Sequence, residues 1–294
     1  MSKRRIIAAV AIGVAASADF TPAYAHGFGE RYDLPIPLNF FLVGAAATVA
    51  LSFVVIGLFV SSSTSQLRYP RCNLLAVPWL QILLSSKVLI TAIKSFSVFL
   101  FALTLATAIL GTNKSPNNFS PTFVWIIWWV GMGYAAALLG NLWALVNPWK
   151  CIYEWVQKLF RIRDRSREEG MFRYPVGWDV WPAVVLFLVF AWIENIYQSA
   201  AVPFNLGMLI LAYSVMTWVG MLAFGKERWL QYGEAFSILF SFFSRFSPTE
   251  VRVTDTRYCE SCQLGCYPTE NGCVDCHGCF ERAEQSVREL NIRP

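Results

Sequence analysis

The sequence predicts an all-α polytopic membrane protein, with about five transmembrane helices and a small cytoplasmic, cysteine-rich, metal-binding C-terminal tail. Composition is the first reason: 56% of the residues are hydrophobic and only 15% are charged, well short of the charge that soluble domains carry. The second is the recurrence of apolar runs long enough to cross a ~30 Å hydrocarbon core as helices. The third is the crowding of Cys259, Cys262, Cys266, Cys273, Cys276 and Cys279 near the end of the chain.

Residues 1–25 read as a cleaved signal peptide. Lys3, Arg4 and Arg5 form a basic start, Ile6 to Ala16 an apolar stretch, and Ala23-Tyr24-Ala25 a small-x-small cleavage site. The mature chain would begin at His26, with residues 26–37 as a periplasmic segment. A five-helix membrane domain over 38–225 follows, its spans near Leu38 to Val60, Ser95 to Gly111, Thr122 to Val146, Val180 to Tyr197 and Asn205 to Gly225. Five crossings from outside leave the remainder inside. The basic residues agree with this, because Arg68, Arg71, Lys150, Lys158, Arg161 to Arg173, Lys226, Arg245 and Arg257 fall on inner segments while the outer ones hold Arg31 and Lys114.

Between the spans, Ile152, Trp155, Val156, Leu159 and Phe160 recur at helical spacing opposite Glu154, Lys158 and Arg161, as expected of a helix lying on the inner face of the membrane. Within residues 226–250 the apolar run AFSILFSFF at Ala235 to Phe243 is too short to cross as a helix, and the stretch reads as an interfacial segment. The cysteine-rich tail then occupies 251–294. The formal charge of +5 sits on the inner loops and implies contact with anionic lipid heads, not nucleic acid. No phosphate loop, dinucleotide fingerprint, serine-nucleophile elbow or paired-histidine metalloprotease motif occurs, which removes those enzyme classes.

The cysteines read C-x2-C-x3-C-x6-C-x2-C-x2-C. In a reducing compartment disulfides do not persist, so thiolate ligation is the expected use of such density. Two geometries compete. Cys259, Cys262, Cys273 and Cys276 form two C-x2-C knuckles that would close a tetrahedral zinc site. Alternatively Cys273, Cys276 and Cys279 offer three ligands to an iron–sulfur cluster, with a fourth from Cys259, Cys262 or Cys266. His277 reads as a bystander. A saturated thiolate zinc site would be structural, having no open position for water.

Other candidates lie toward the outer side. A free amino group at His26, with Glu30 and Asp33 near, could hold a divalent metal and its activated water. Within the spans, Glu194 is an ionisable group at membrane depth and therefore a functional candidate; Lys94 at the inner edge is expected to snorkel. Trp125, Trp128 and Trp129 fall where an aromatic belt is expected and could also wall a site for an apolar ligand.

Longer motifs carry a resemblance. The opening HGFGERYDLPIPLNFFLVGAAATVALSFVV, the NPWK of Asn147 to Lys150, the WPAVVLFLVFAWIE of Trp181 to Glu194, the YGEAFS of Tyr232 to Ser237 and the closing CVDCHGCFERA resemble the bacterial membrane proteins named fenitrothion hydrolases, across essentially the whole mature chain. The resemblance implies a multi-pass protein of the bacterial inner membrane that hydrolyses organophosphorus triesters, releasing a nitrophenol from a small apolar aryl phosphorothioate. It brings no catalytic residues with it, so Glu194, Glu30 and Asp33 stand as the water-activating candidates. Members of that family continue into further apolar segments past the cysteines, whereas this sequence stops at Asn291-Ile292-Arg293-Pro294; the resemblance then implies either a truncated chain or, the favoured expectation, a second integral membrane subunit that supplies the remainder. A competing expectation is an electron-transfer or metal-handling membrane protein in which the cysteine cluster is the working part.

Overall fold

The computed structural model describes residues 38–59, 71–160, 170–175, 177–260, 262, 268–269 and 272–292. The expected signal peptide and periplasmic segment lie outside the described residues. The chain divides into two units, Met1–Ser65 and Gln66–Pro294. The first contains helix α1, Leu38–Phe59, apolar over its 22 residues. Its hydroxyls make no demand on a partner, because Thr48 and Ser52 each donate to the carbonyl four residues back at 2.8 Å.

Among the described residues of the larger unit, three helices are long and apolar enough to cross a membrane: α2 (Lys87–Leu110), α3 (Phe119–Leu139) and, later in the chain, Pro203–Phe224. Each begins where the chemistry of a helix start dictates. Ser86 accepts from the Leu89 amide ahead of α2, and Asn118 accepts from the Ser120 amide ahead of α3. The amphipathic helix is α4, Pro148–Leu159, entered through Asn147, whose side chain accepts from the Lys150 amide at 3.2 Å, with Pro148 in the first turn. Its Val156 and Leu159, with Phe160, remain exposed, the face expected to meet lipid. Helix α5, Trp181–Asn195, is apolar but has 15 residues, fewer than the expected span. Helix α6, Pro203–Phe224, starts on its own proline and ends at Gly225, whose φ of 84° no β-carbon residue adopts without strain.

Two departures from the sequence reading concern the same place. The third span stops at Leu139, because Gly140 turns the chain with φ of 100° and a Cβ there would collide with the Thr249 hydroxyl; the chain resumes as a short helix, Trp143–Val146. Helix α7, Ala235–Ser244, lies in the stretch expected at the membrane interface, and one of its faces enters the core. Ala235, Phe236 and Phe240 are buried among the helices, and Phe236 and Phe240 pack on Trp128, Trp129 and Trp143. Ten residues cannot cross a bilayer, but they can fill the space that the broken third span leaves. The core they complete comprises Ala136, Trp143, Trp149, Tyr153, Met221, Trp229, Phe236 and Phe240. Gly220 and Gly233 lie against Trp229 so closely that a Cβ on either would overlap its ring.

The tail corrects the all-α expectation. It forms a five-stranded antiparallel sheet of order β1-β5-β2-β4-β3, with β1 Cys72–Asn73, β2 Thr249–Val253, β3 Pro268–Thr269, β4 Gly272–Val274 and β5 Arg288–Ile292. Strand β1 comes from the segment between the first two spans and pairs Cys72 with Ile292 and Asn73 with Asn291. Arg71 reaches the buried Glu250 at 2.9 Å, the Thr249 hydroxyl donates to the Leu139 carbonyl at 2.9 Å, and Lys150 pairs with Glu281 at 2.7 Å. The three segments expected inside therefore meet at one end of this unit. The segments expected outside meet each other instead: Ser115 donates to the Ala201 carbonyl, and the Phe204 amide donates to Asn113.

A cation cluster holds α4 in place. Glu154 accepts from Lys226 at 2.8 Å and from Lys94 at 3.4 Å, so both cations meet one carboxylate. Burial opposes charging Glu154, but Lys226, Lys150 and Lys94 outweigh it and hold the carboxyl down at about 2. A carboxyl depressed in the folded state stabilises above its unfolded pKa, and that contribution disappears as pH falls from the ordinary glutamate range toward 2. Glu154→Gln should therefore lower the unfolding midpoint near pH 7 and remove most of the variant's difference from wild type below pH 3, measured by thermal unfolding in detergent across pH.

Candidate metal centre

The cysteine domain is too small to build an aliphatic core, and sulfur occupies the place of one. Val253, Cys259, Cys273, Cys279 and Ala283 form its buried hydrophobic cluster, with Tyr258, Cys262, Cys276, Phe280 and Val287 packed against them. Small folds of this kind depend on covalent or metal staples. Cys259 sits on the single helical turn Arg257–Glu260, and the Cys262 amide donates to its carbonyl at 3.0 Å. Cys273 lies on β4, entered through Gly272, whose φ of 104° and contact with the Val253 carbonyl exclude a side chain. Asp275, at φ of 53°, turns the chain, and its amide donates to the Val251 carbonyl at 2.8 Å. That turn delivers Cys276 to the start of helix α8, His277–Arg282, which carries Cys279.

These turns bring Cys262, Cys276 and Cys279 together with all three sulfurs within 4.8 Å of one another. Cys259 and Cys273 are joined as a disulfide, with Cα atoms 5.7 Å apart. The grouping crosses both sets read from spacing: each C-x2-C knuckle gives one sulfur to the disulfide and one to the three-thiol group. The expectation that no disulfide forms is corrected accordingly. Cys266 lies outside the described residues. A tetrahedral ion with metal–sulfur bonds of ~2.3 Å needs sulfurs roughly 3.8 Å apart, so the three thiols fit a single thiophilic ion. Cys151 is a different case: burial pushes its thiol up to about 11, and it packs as a small apolar side chain.

A cleft of about 780 Å³ separates this centre from the helices. Trp143, Asn147 and Lys150 line one side, Ser237, Ser241 and Arg245 of the α7 region another, and Val274 to Gly278 the third. Cys276 is thus both a member of the thiol group and part of the cleft wall. Lys150 is 5% exposed; its Nζ donates to Glu281 at 2.7 Å and to the Ala144 carbonyl at 3.1 Å. His277 also lines the cleft and is not among the three grouped ligands. Burial, then the Lys150 cation, push its imidazole down to about 4 against the opposing pull of Glu281, so it is neutral near pH 7.

The remaining sequence candidates divide. Glu194 accepts from the Trp129 indole at 2.9 Å, and Trp129 packs on Phe187 and Phe190, so these two candidates do meet. Trp125 donates to the Ala200 carbonyl at 3.3 Å. Trp128 turns inward onto Trp143, Phe236 and Phe240 and belongs to the core. His26, Glu30 and Asp33 lie outside the described residues. Sequence reading passed over Glu234, which is completely buried and accepts from the Phe236 amide at 3.0 Å, the Ser237 amide at 2.7 Å and the Tyr213 hydroxyl. Its signal was present, as an acidic residue immediately before an apolar run is a helix cap.

Together these features define a class: a largely helical chain with membrane-length apolar helices and a C-terminal thiol domain able to hold a metal ion. No protein-family model, curated protein or solved structure matches the chain.

Proposed function

We propose that this is a metal-handling protein of the bacterial inner membrane, and that one zinc-type ion bound by its cytoplasmic cysteine domain is the working centre. The observation that carries the reading is the convergence of Cys262, Cys276 and Cys279 within 4.8 Å. That spacing suits one ion with shared thiolates better than a cluster of several irons, whose ligands must stand further apart. Deprotonated thiolates would hold the ion, and its charge would offset theirs inside a small, otherwise weakly cored domain. Cys276 also faces the cleft beside Lys150 and Asn147, which gives an ion at this centre a route to a ligand or to a second protein. Purification of the full chain under reducing conditions, followed by elemental analysis and visible absorption, tests this. About one zinc per chain and a colourless protein is the expected result; a brown protein holding several irons would replace metal handling by electron transfer.

Hydrolysis of organophosphorus triesters by this chain with a second membrane subunit is a second reading, favoured by one specific contact. Glu194 is held by Trp129 within an aromatic wall of Phe187 and Phe190, the setting a neutral, oily ester would require of a base. Membranes carrying the chain and its genomic neighbour should then release nitrophenolate from an aryl phosphorothioate. Glu194→Gln should reduce that rate by roughly 100-fold or more, as expected on removing a general base. Equal rates for the variant and wild type would remove Glu194 from the reaction.

A further inference from the structure

Five sulfurs of the cysteine domain share one buried cluster, yet they are in two chemical states. Cys259 and Cys273 are joined, while Cys262, Cys276 and Cys279 are thiols. A disulfide sulfur carries no thiolate, and thiolate is the form that ligates metal. The joined pair therefore cannot serve an ion held by the other three. The two states are also mechanically tied. Cys262 follows Cys259 by one hydrogen-bonded turn, and Cys276 follows Cys273 across the Asp275 turn. Breaking or making the disulfide acts on the same two backbone segments that position two of the three thiols.

From this juxtaposition we infer that Cys259–Cys273 is a redox latch on the metal site; the inference deepens the metal-handling reading and rests on it. With the latch reduced, one of its sulfurs adds a thiolate to the site and holds the ion closed. With the latch oxidised, that ligand is withdrawn, and the ion is released or passed to an incoming thiol. The chemistry balances. A dithiol reductant transfers two electrons and two protons to the disulfide, yielding two thiols and itself becoming a disulfide; each thiol that then ligates gives its proton to water. Oxidation by a small disulfide reverses the sequence. Disulfides in a reducing compartment are characteristically transient and redox-sensing, which is the use proposed.

The test uses the full chain in detergent, with zinc as the probe and a chromogenic chelator as competitor. Zinc affinity is measured after dithiol reduction and after stoichiometric oxidation by a small disulfide, with alkylation and mass spectrometry reporting the state of Cys259 and Cys273. Loss of a direct ligand should weaken zinc on oxidation by at least about 100-fold, the upper range for losing only an outer support. The double variant Cys259→Ser/Cys273→Ser should lose the redox response. Equal affinity in both states of the wild type, with the disulfide verified, overturns the latch and leaves the metal reading standing. Absence of zinc binding in either state overturns both. If the double variant does not fold, the wild-type comparison decides alone.

Discussion

Glu234→Ala should be the most destabilising single substitution in the helical core, at ~3–5 kcal/mol, because it strands several buried donors at once. The carboxylate is inaccessible to solvent and receives the amides of Phe236 and Ser237 and the hydroxyl of Tyr213. Each stranded donor costs roughly 1–3 kcal/mol when water cannot replace the lost acceptor, and at this position water cannot. The effect spreads through packing. Helix α7 would lose its starting cap, and Phe236 and Phe240 carry the contacts to Trp128, Trp129 and Trp143. Tyr213→Phe removes one donor along with its need for the acceptor and should cost only about 1 kcal/mol. Thermal unfolding in detergent compares the two variants. If Glu234→Ala unfolds no earlier than Tyr213→Phe, α7 is held by its aromatic contacts and not by its cap.

Cys276→Ser should reduce metal binding by on the order of 100-fold or more, since it removes a direct ligand where even outer-shell losses cost 10–100-fold. Serine keeps the size of cysteine but offers a hydroxyl that does not deprotonate near neutral pH. The control is Cys72→Ser: Cys72 is exposed on the two-residue edge strand β1, apart from the three-thiol group. Zinc content of the reduced, full-length proteins measures both. Equal metal in Cys276→Ser and wild type would exclude Cys276 as a ligand and, with it, the cleft-facing placement of the ion.

Much of the membrane part was legible because its signal is local. Pro203–Phe224 is an apolar run bounded by Pro203 and Gly225, close to the expected Asn205 to Gly225, whereas Lys87–Leu110 begins eight residues before the expected Ser95, where the Ser86 side chain caps it. Helix α4 was legible for the same reason, as 3.6-residue periodicity needs no distant partner. The tail was misread because its strands span two to five residues, too short for alternation to register, and because β1 lies about 180 residues before β2. Its pairing is stabilised only once the chain has folded back, which spacing along the sequence does not encode.

The apolar helices, the basic bias of the segments between them and the presence of enough thiols for a metal are legible in the residues alone. These follow from composition and from interactions within one turn of the chain. Other features exist only in the folded chain: AFSILFSFF packs into the core, Lys94 and Lys226 both meet Glu154, Trp128 faces inward while Trp129 meets Glu194, and three sulfurs stand together. Burial and ligation depend on which surfaces other segments cover. The C-x2-C spacing made both knuckles visible, but only the fold of β4 and α8 against the Arg257–Glu260 turn could divide five sulfurs into a joined pair and a group of three.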